Sequence, residues 1–168
     1  QPDEDLFIEY FNQHPEVKLI IAPHVIDENH LVEIIRKLKR PYVRYTRANE
    51  KNVRKADCLI IDCFGLLSSI YRYGEIAYIG GGFGVGIHNT LEAAVYGIPV
   101  IFGPKYQKFQ EAIQLLETKG AFSVKDYEEL KTLLDRMLTD EVFLRESGMN
   151  ASNYVTSNAG ATDKIMSM

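Results

Sequence analysis

Ile76-Ala77-Tyr78-Ile79-Gly80-Gly81-Gly82-Phe83-Gly84-Val85-Gly86-Ile87-His88-Asn89-Thr90-Leu91-Glu92-Ala93-Ala94 is the stretch that decides the fold. A strand-like run enters it and a helix-like run leaves it. Glycines adopt backbone conformations closed to other residues and let a ligand approach the main chain. The helix that follows turns unpaired N–H groups, and the positive end of its dipole, back toward the loop. Loop and helix start together form an anion site, with phosphate the usual occupant. Glu92, one turn into the helix, has the reach to meet sugar hydroxyls beside that phosphate.

Mismatches narrow the kind of loop. No register of the glycines from 80 to 86 fits G-x-G-x-x-G, and no lysine follows Gly86 as a Walker loop requires. HExxH, paired CxxC and EF-hand patterns are absent from the sequence. Nucleotide binding without hydride transfer or ATP hydrolysis is what remains.

The regions around the loop set the architecture. Outward from it, residues 17–22, 42–45, 58–62, 99–102 and 121–124 read as strands, with 76–79 between the third and fourth of these. Residues 5–12, 27–39, 66–73, 89–97, 109–119, 127–138 and 141–153 read as helices, and the tail at 159–168 as one more. Within 27–39, Leu31, Ile34, Ile35 and Leu38 recur at helical spacing. Apolar strands alternating with helices predict an α/β fold, a Rossmann-like parallel sheet covered by helices on both faces. Ligands of such sheets sit beyond the carboxyl ends of the strands. Pro23 and His24, the segment from Asp62 to Gly65, and the Gly80 loop all fall at such ends.

Composition bounds the function. At 168 residues with a net charge of -4, the chain has one domain's length and lacks the basic excess of a nucleic-acid binder. No apolar run approaches the roughly 18–20 residues of a membrane span. Cys58 and Cys63 flank a strand and read as free thiols in a reducing compartment rather than as a disulfide, which points to the cytoplasm. The chain opens at Gln1 in helix-like sequence, where a domain of this kind opens with a strand. The expectation is a piece of a longer protein.

Gly80-Gly81-Gly82-Phe83, His88-Asn89, Leu91-Glu92 and Gly97-Ile98-Pro99-Val100-Ile101-Phe102-Gly103-Pro104 resemble the 3-deoxy-D-manno-octulosonic acid (Kdo) transferases of Gram-negative bacteria. Ile20-Ile21-Ala22-Pro23, Asp62 with Gly65, Phe109 with Glu111, and Asn158-Ala159-Gly160-Ala161 extend the resemblance over nearly the whole chain. The resemblance implies the C-terminal, donor-binding lobe of a two-lobed GT-B glycosyltransferase. Such an enzyme moves Kdo from CMP-Kdo to a lipid A precursor with inversion, at the cytoplasmic face of the inner membrane. It implies no cofactor and no metal in the active site. The family's general base is a glutamate of the other lobe, so this chain by itself is expected to hold no catalytic residue and to be inactive. Two positions depart from the family: His24 stands where many members have arginine, and Leu66-Leu67 where many have Glu-Leu.

The resemblance implies a donor site of Gly80, Gly81, Gly82, His88, Asn89, Glu92, Pro23, His24 and Lys105. Each has a plainer reading beside it. The triple glycine also serves a tight turn. Asn89-Thr90-Leu91-Glu92 fits a capping box, so Glu92 either contacts ribose or closes back on its helix. His88 and His24 are either ligand contacts or structural histidines. Lys105, with Lys108, either meets the donor's phosphate or carboxylate or is merely solvated. Asp62 is expected to hold the loop that follows it through backbone N–H groups. Arg36, Lys37, Lys39 and Arg40 complement a helix end, or face a membrane. Tyr71, Tyr73 and Tyr106 read as exposed side chains of a packing surface. Two rival functions stay open: another GT-B enzyme with a UDP- or GDP-linked donor, and a non-catalytic nucleotide-binding domain.

Overall fold

The computed structural model describes residues 2–23, 26–63, 71, 74–80 and 91–166, and of 2, 3, 91, 92 and 158–166 the backbone only. The chain divides into two compact units, Gln1–Ser69 and Ile70–Met168. Each is a three-stranded parallel sheet with its own helices.

In the first unit, α1 (Pro2–Gln13) precedes β1 (Leu19–Ile21), α2 (Glu28–Lys37), β2 (Tyr42–Arg44), a 3-10 turn (Tyr45–Arg47), α3 (Glu50–Lys55) and β3 (Cys58–Ile60). The strand order is β1-β3-β2, with Ile60 opposite both Ile21 and Arg44. Helical spacing decides what is buried. Ile8 and Phe11 of α1, with Leu31 and Ile34 of α2, close over Ile21, Cys58 and Ile60. Asp27 ends up as the cap of α2, its carboxylate accepting from the His30 amide at 2.8 Å, the placement expected of an Asp before an apolar-periodic run.

The second unit runs β4 (Ala77–Ile79), α4 (Leu91–Ala94), β5 (Val100–Phe102), α5 (Gln110–Glu117), β6 (Ala121–Ser123), α6 (Tyr127–Thr139) and α7 (Glu141–Met166). Its order is β4-β5-β6, so β5 is central and all three of its residues are buried. Ala93, Ala94, Ala112, Ala121 and Ala151 contribute small faces to a core around Ile79, Val100, Phe102 and Leu115. Gly97 ends α4 with φ +71, a left-handed stop that glycine takes without steric cost.

Several expectations change. The helix from residue 5 begins earlier, at Pro2, a residue suited to a first helical turn. α3 fills a stretch that apolar periodicity leaves blank; none of its residues is buried, and it rests on a capping box between Asn49 and Asn52. The helices read at 141–153 and 159–168 are one continuous α7, because no proline interrupts them and Gly160 does not break the run. Coverage of the strands on both faces holds for β5 but not for β1, where Ile20 is 37% exposed. The helix expected at 66–73 lies outside the described residues, apart from Tyr71. Both cysteines are free, Cys58 buried and Cys63 half-buried. Burial pushes the Cys58 thiol up to about 12, which keeps it protonated and inert at neutral pH.

Candidate functional site

Register places the site-bearing segments of the second unit. Ile79 lies opposite Phe102, so Gly80 and Gly103 leave the sheet side by side at its carboxyl edge. That edge is where ligands of parallel sheets bind. Gly80 is half-buried directly after β4. Gly81, Gly82, His88 and Asn89 lie outside the described residues, and Glu92 is fixed only as a backbone position on α4.

The segment after β5 is held from within. The Ser123 hydroxyl donates to the Gly103 carbonyl at 3.1 Å, and the Gln107 side-chain amide donates to Pro104 at 2.9 Å. Tyr106 tilts against Phe102 with ring centroids 5.5 Å apart. Lys105 and Lys108 stand exposed on this braced loop, which follows the strand paired with β4. Tyr106 and Tyr71 are half-buried against the core, not exposed; their role is packing, as expected. Tyr73 lies outside the described residues.

In the first unit the carboxyl edge carries Pro23, Arg44 and Asp62. Pro23 is half-buried two residues beyond β1, and His24 lies outside the described residues. The side chain of Asp62 is fully buried and, among the described residues, accepts three hydrogen bonds. These come from the Thr46 amide at 2.9 Å, the Thr46 hydroxyl at 2.6 Å and Arg44 Nε at 2.9 Å. Asp62 therefore fixes the turn that follows β2. The order β1-β3-β2 is the reason, because it sets β2 alongside β3. The loop after Asp62, which it was expected to hold, lies outside the described residues from 64 to 70.

Arg44 continues the chain of contacts outward, donating through Nη1 and Nη2 to the two carboxylate oxygens of Glu28 at 2.7 and 3.1 Å. Sequence reading passes over Arg44, Thr46 and Glu28. The available signal was an arginine closing one strand and an aspartate just past the next.

Burial pushes the Asp62 carboxyl up, but the Thr46 hydroxyl, the Thr46 amide and Arg44 outweigh it and leave it below its ordinary value. A depressed carboxyl contributes stability that is present above the unfolded pKa near ~3.9 and lost as pH falls through the lower folded value. Asp62→Asn is expected to cost about 1–2 kcal/mol at pH 7, in line with a hydrogen-bonded charge. The difference from wild type should shrink as pH falls below about 4. Urea unfolding of both proteins at pH 7 and pH 3 checks this; a difference that grows toward pH 3 contradicts it.

Two cations of the basic cluster at the end of α2 have partners. Lys37 pairs with Asp5 at 2.7 Å, and Arg40 is turned inward onto backbone carbonyls. Among the described residues no group of three His, Cys, Asp or Glu is placed to hold a metal ion. Among them, too, no helix is long and apolar enough to cross a membrane.

Two α/β units, each with a three-stranded parallel sheet, and a glycine-rich sequence after one strand define the class, a Rossmann-like lobe of the GT-B type. Solved structures share this fold. The crystal structure of the C-terminal CMP-Kdo binding domain of WaaA from Acinetobacter baumannii matches with a TM-score of 0.74. The match covers 92% of this chain and 83% of that one at 20% identity. The C-terminal domain of the group 1 glycosyl transferase LpcC from Francisella tularensis matches with a TM-score of 0.62 over 92% and 75%, at 16% identity.

The chain is a relative of the 3-deoxy-D-manno-octulosonic acid transferases. It is 36% identical to that transferase of Aquifex aeolicus over 135 residues, 79% of this chain. It is 28% identical to the transferase of Chlamydia muridarum over 157 residues, 92% of this chain. A bifunctional glycosyltransferase/methyltransferase of Fusobacterium nucleatum is 29% identical over 164 residues. The chain spans 37%, 36% and 26% of the lengths of these three relatives. No family model matches it.

Proposed function

We propose that the chain is the donor-binding half of an inverting glycosyltransferase that moves Kdo from CMP-Kdo to a lipid A precursor. The observation that carries this is the 36% identity to a Kdo transferase over 79% of the chain. The fold shared with a CMP-Kdo binding domain supports the same reading. Gly80, Gly81, Gly82, His88 and Asn89 take the CMP phosphate, and Glu92 takes the ribose. Lys105, exposed on the loop after β5, meets the phosphate or the Kdo carboxylate. Pro23 and His24 are assigned to the donor by the resemblance alone.

Fixed donors aimed at the departing phosphate lower the barrier by stabilising charge that develops as the glycosidic bond breaks. That is the contribution of this half. The general base and the acceptor lipid belong to the other half of the enzyme, which works at the cytoplasmic face of the inner membrane. The chemistry asks for no metal or cofactor.

The test is a transfer assay with the complete gene product. Kdo transfer from CMP-Kdo to a lipid A precursor is expected, and none from UDP- or GDP-linked sugars. This chain alone is expected to transfer nothing. Transfer from a UDP- or GDP-sugar in place of CMP-Kdo contradicts the proposal.

A further inference from the structure

We propose that Arg44 is an oxyanion-binding residue of the first unit, paired with the Glu28 carboxylate and exchanging it for a ligand's phosphate or carboxylate. This rests on the donor-lobe reading for the ligand's identity, but not for the existence of the site.

Three observations carry it. Arg44 ends β2 at the carboxyl edge of its sheet, level with Ile21 and Ile60, the edge at which parallel sheets bind ligands. Its guanidinium is oriented from behind: Nε is bonded to the fully buried Asp62, which also pins the turn carrying Thr46. Its outward end already binds an oxyanion, since both Glu28 oxygens accept from Nη1 and Nη2. A planar, pre-set fork of this kind matches carboxylate and phosphate geometry alike.

The two carboxylates around Arg44 are not equivalent. Asp62 has no exposed side-chain surface and three donors, so it stays. Glu28 is 67% exposed and can swing into water at small cost. Its carboxyl is held below the ordinary range chiefly by the Arg44 hydrogen bond, so near neutral pH it is an ionised competitor for any incoming anion. Arg47, on the same turn, adds a second positive charge near that position. Asp27 and Glu33, with Glu28, line the neighbouring depression. Those carboxylates repel an anion that strays from the Arg44 fork, which confines the site to the guanidinium end.

The proposal predicts an effect of opposite sign to a sugar-hydroxyl role for Glu28. If Glu28 competes with the ligand, Glu28→Gln strengthens binding; if it accepts hydroxyls, the same change weakens it. The Nε–H resonance of Arg44 is a direct reporter, since its bond to Asp62 is kept in the variant. Inorganic phosphate, CMP, UMP, GMP and free Kdo are titrated separately into the wild type and Glu28→Gln. CMP and Kdo distinguish a phosphate source from a carboxylate source.

At least one of the two is expected to shift the Arg44 signal saturably. Affinity read at that signal should rise about two- to fivefold in Glu28→Gln, the value of one exposed ion pair. An unmoved Arg44 signal, or equal or weaker binding in the variant, overturns the proposal. Arg44 responses without preference for CMP over UMP and GMP would leave the anion site standing and remove the donor-lobe reading. CMP preference at other residues with Arg44 silent does the reverse.

Discussion

Gly148→Ala is expected to lower the stability of the chain by about 3 kcal/mol, the upper end of what overpacking a core costs. A methyl group at this position of α7 would stand 2.2 Å from the Gly97 carbonyl oxygen and 3.1 Å from its carbon. The obstacle is backbone, so no rotamer change relieves it. Nor can Gly97 retreat, because its φ of +71 closes α4 and Ile98, buried, follows at once. On an exposed helix the same substitution would gain up to ~1 kcal/mol from helix propensity. The close approach of two glycines reverses that sign. Urea unfolding followed by far-UV circular dichroism reads the effect, and an unchanged or raised midpoint would show that α7 does not pack on Gly97 in this way.

Arg40→Met is expected to cost a similar amount, about 3 kcal/mol, through a different mechanism. The α1 helix ends near Gln13, and its last carbonyls have no partner within the helix. Arg40 supplies one. Nη1 lies 2.8 Å from the Phe11 carbonyl, 2.9 Å from His14 and 2.8 Å from Val17, while Nη2 reaches Pro15 at 2.9 Å. The guanidinium also lies 4.0 Å above the Phe11 ring and 3.3 Å from Asp57. Methionine keeps the aliphatic stem and removes every donor. Lysine restores the charge but not the fork, so Arg40→Lys should recover less than half of the loss. A Met variant within about 0.5 kcal/mol of wild type, the range of an ordinary surface change, would contradict this role.

These two residues also mark where sequence reading stops. Gly97 was legible as a helix stop, since a glycine after an apolar-periodic run reads as a C-terminal signal. Gly148 was not, because its reason is another backbone approached across the fold. Arg40 looked like one of four cations at a helix end, yet it is the inward one. The difference lies in four carbonyls that are 23 to 29 residues away.

The strands and most helices were legible because each carries its own period or apolar run. α3 was not, since it buries nothing and its signal is a capping box of two asparagines, Asn49 and Asn52. The sites divide the same way. The Gly80 loop announces itself locally, by composition and by the strand before it. Arg44 becomes a site residue only once β2 is known to lie beside β3, which places it on Asp62. Strand order is a non-local fact, fixed by packing of the whole unit.

Titration of the ¹⁵N-labelled chain with CMP, against UMP and GMP, tests the central claim most directly. The account predicts saturable shifts at the Gly80 strand end, through the glycine loop and at Glu92, with CMP bound more tightly than either competitor. Equal or tighter binding of UMP or GMP at the same residues would contradict it.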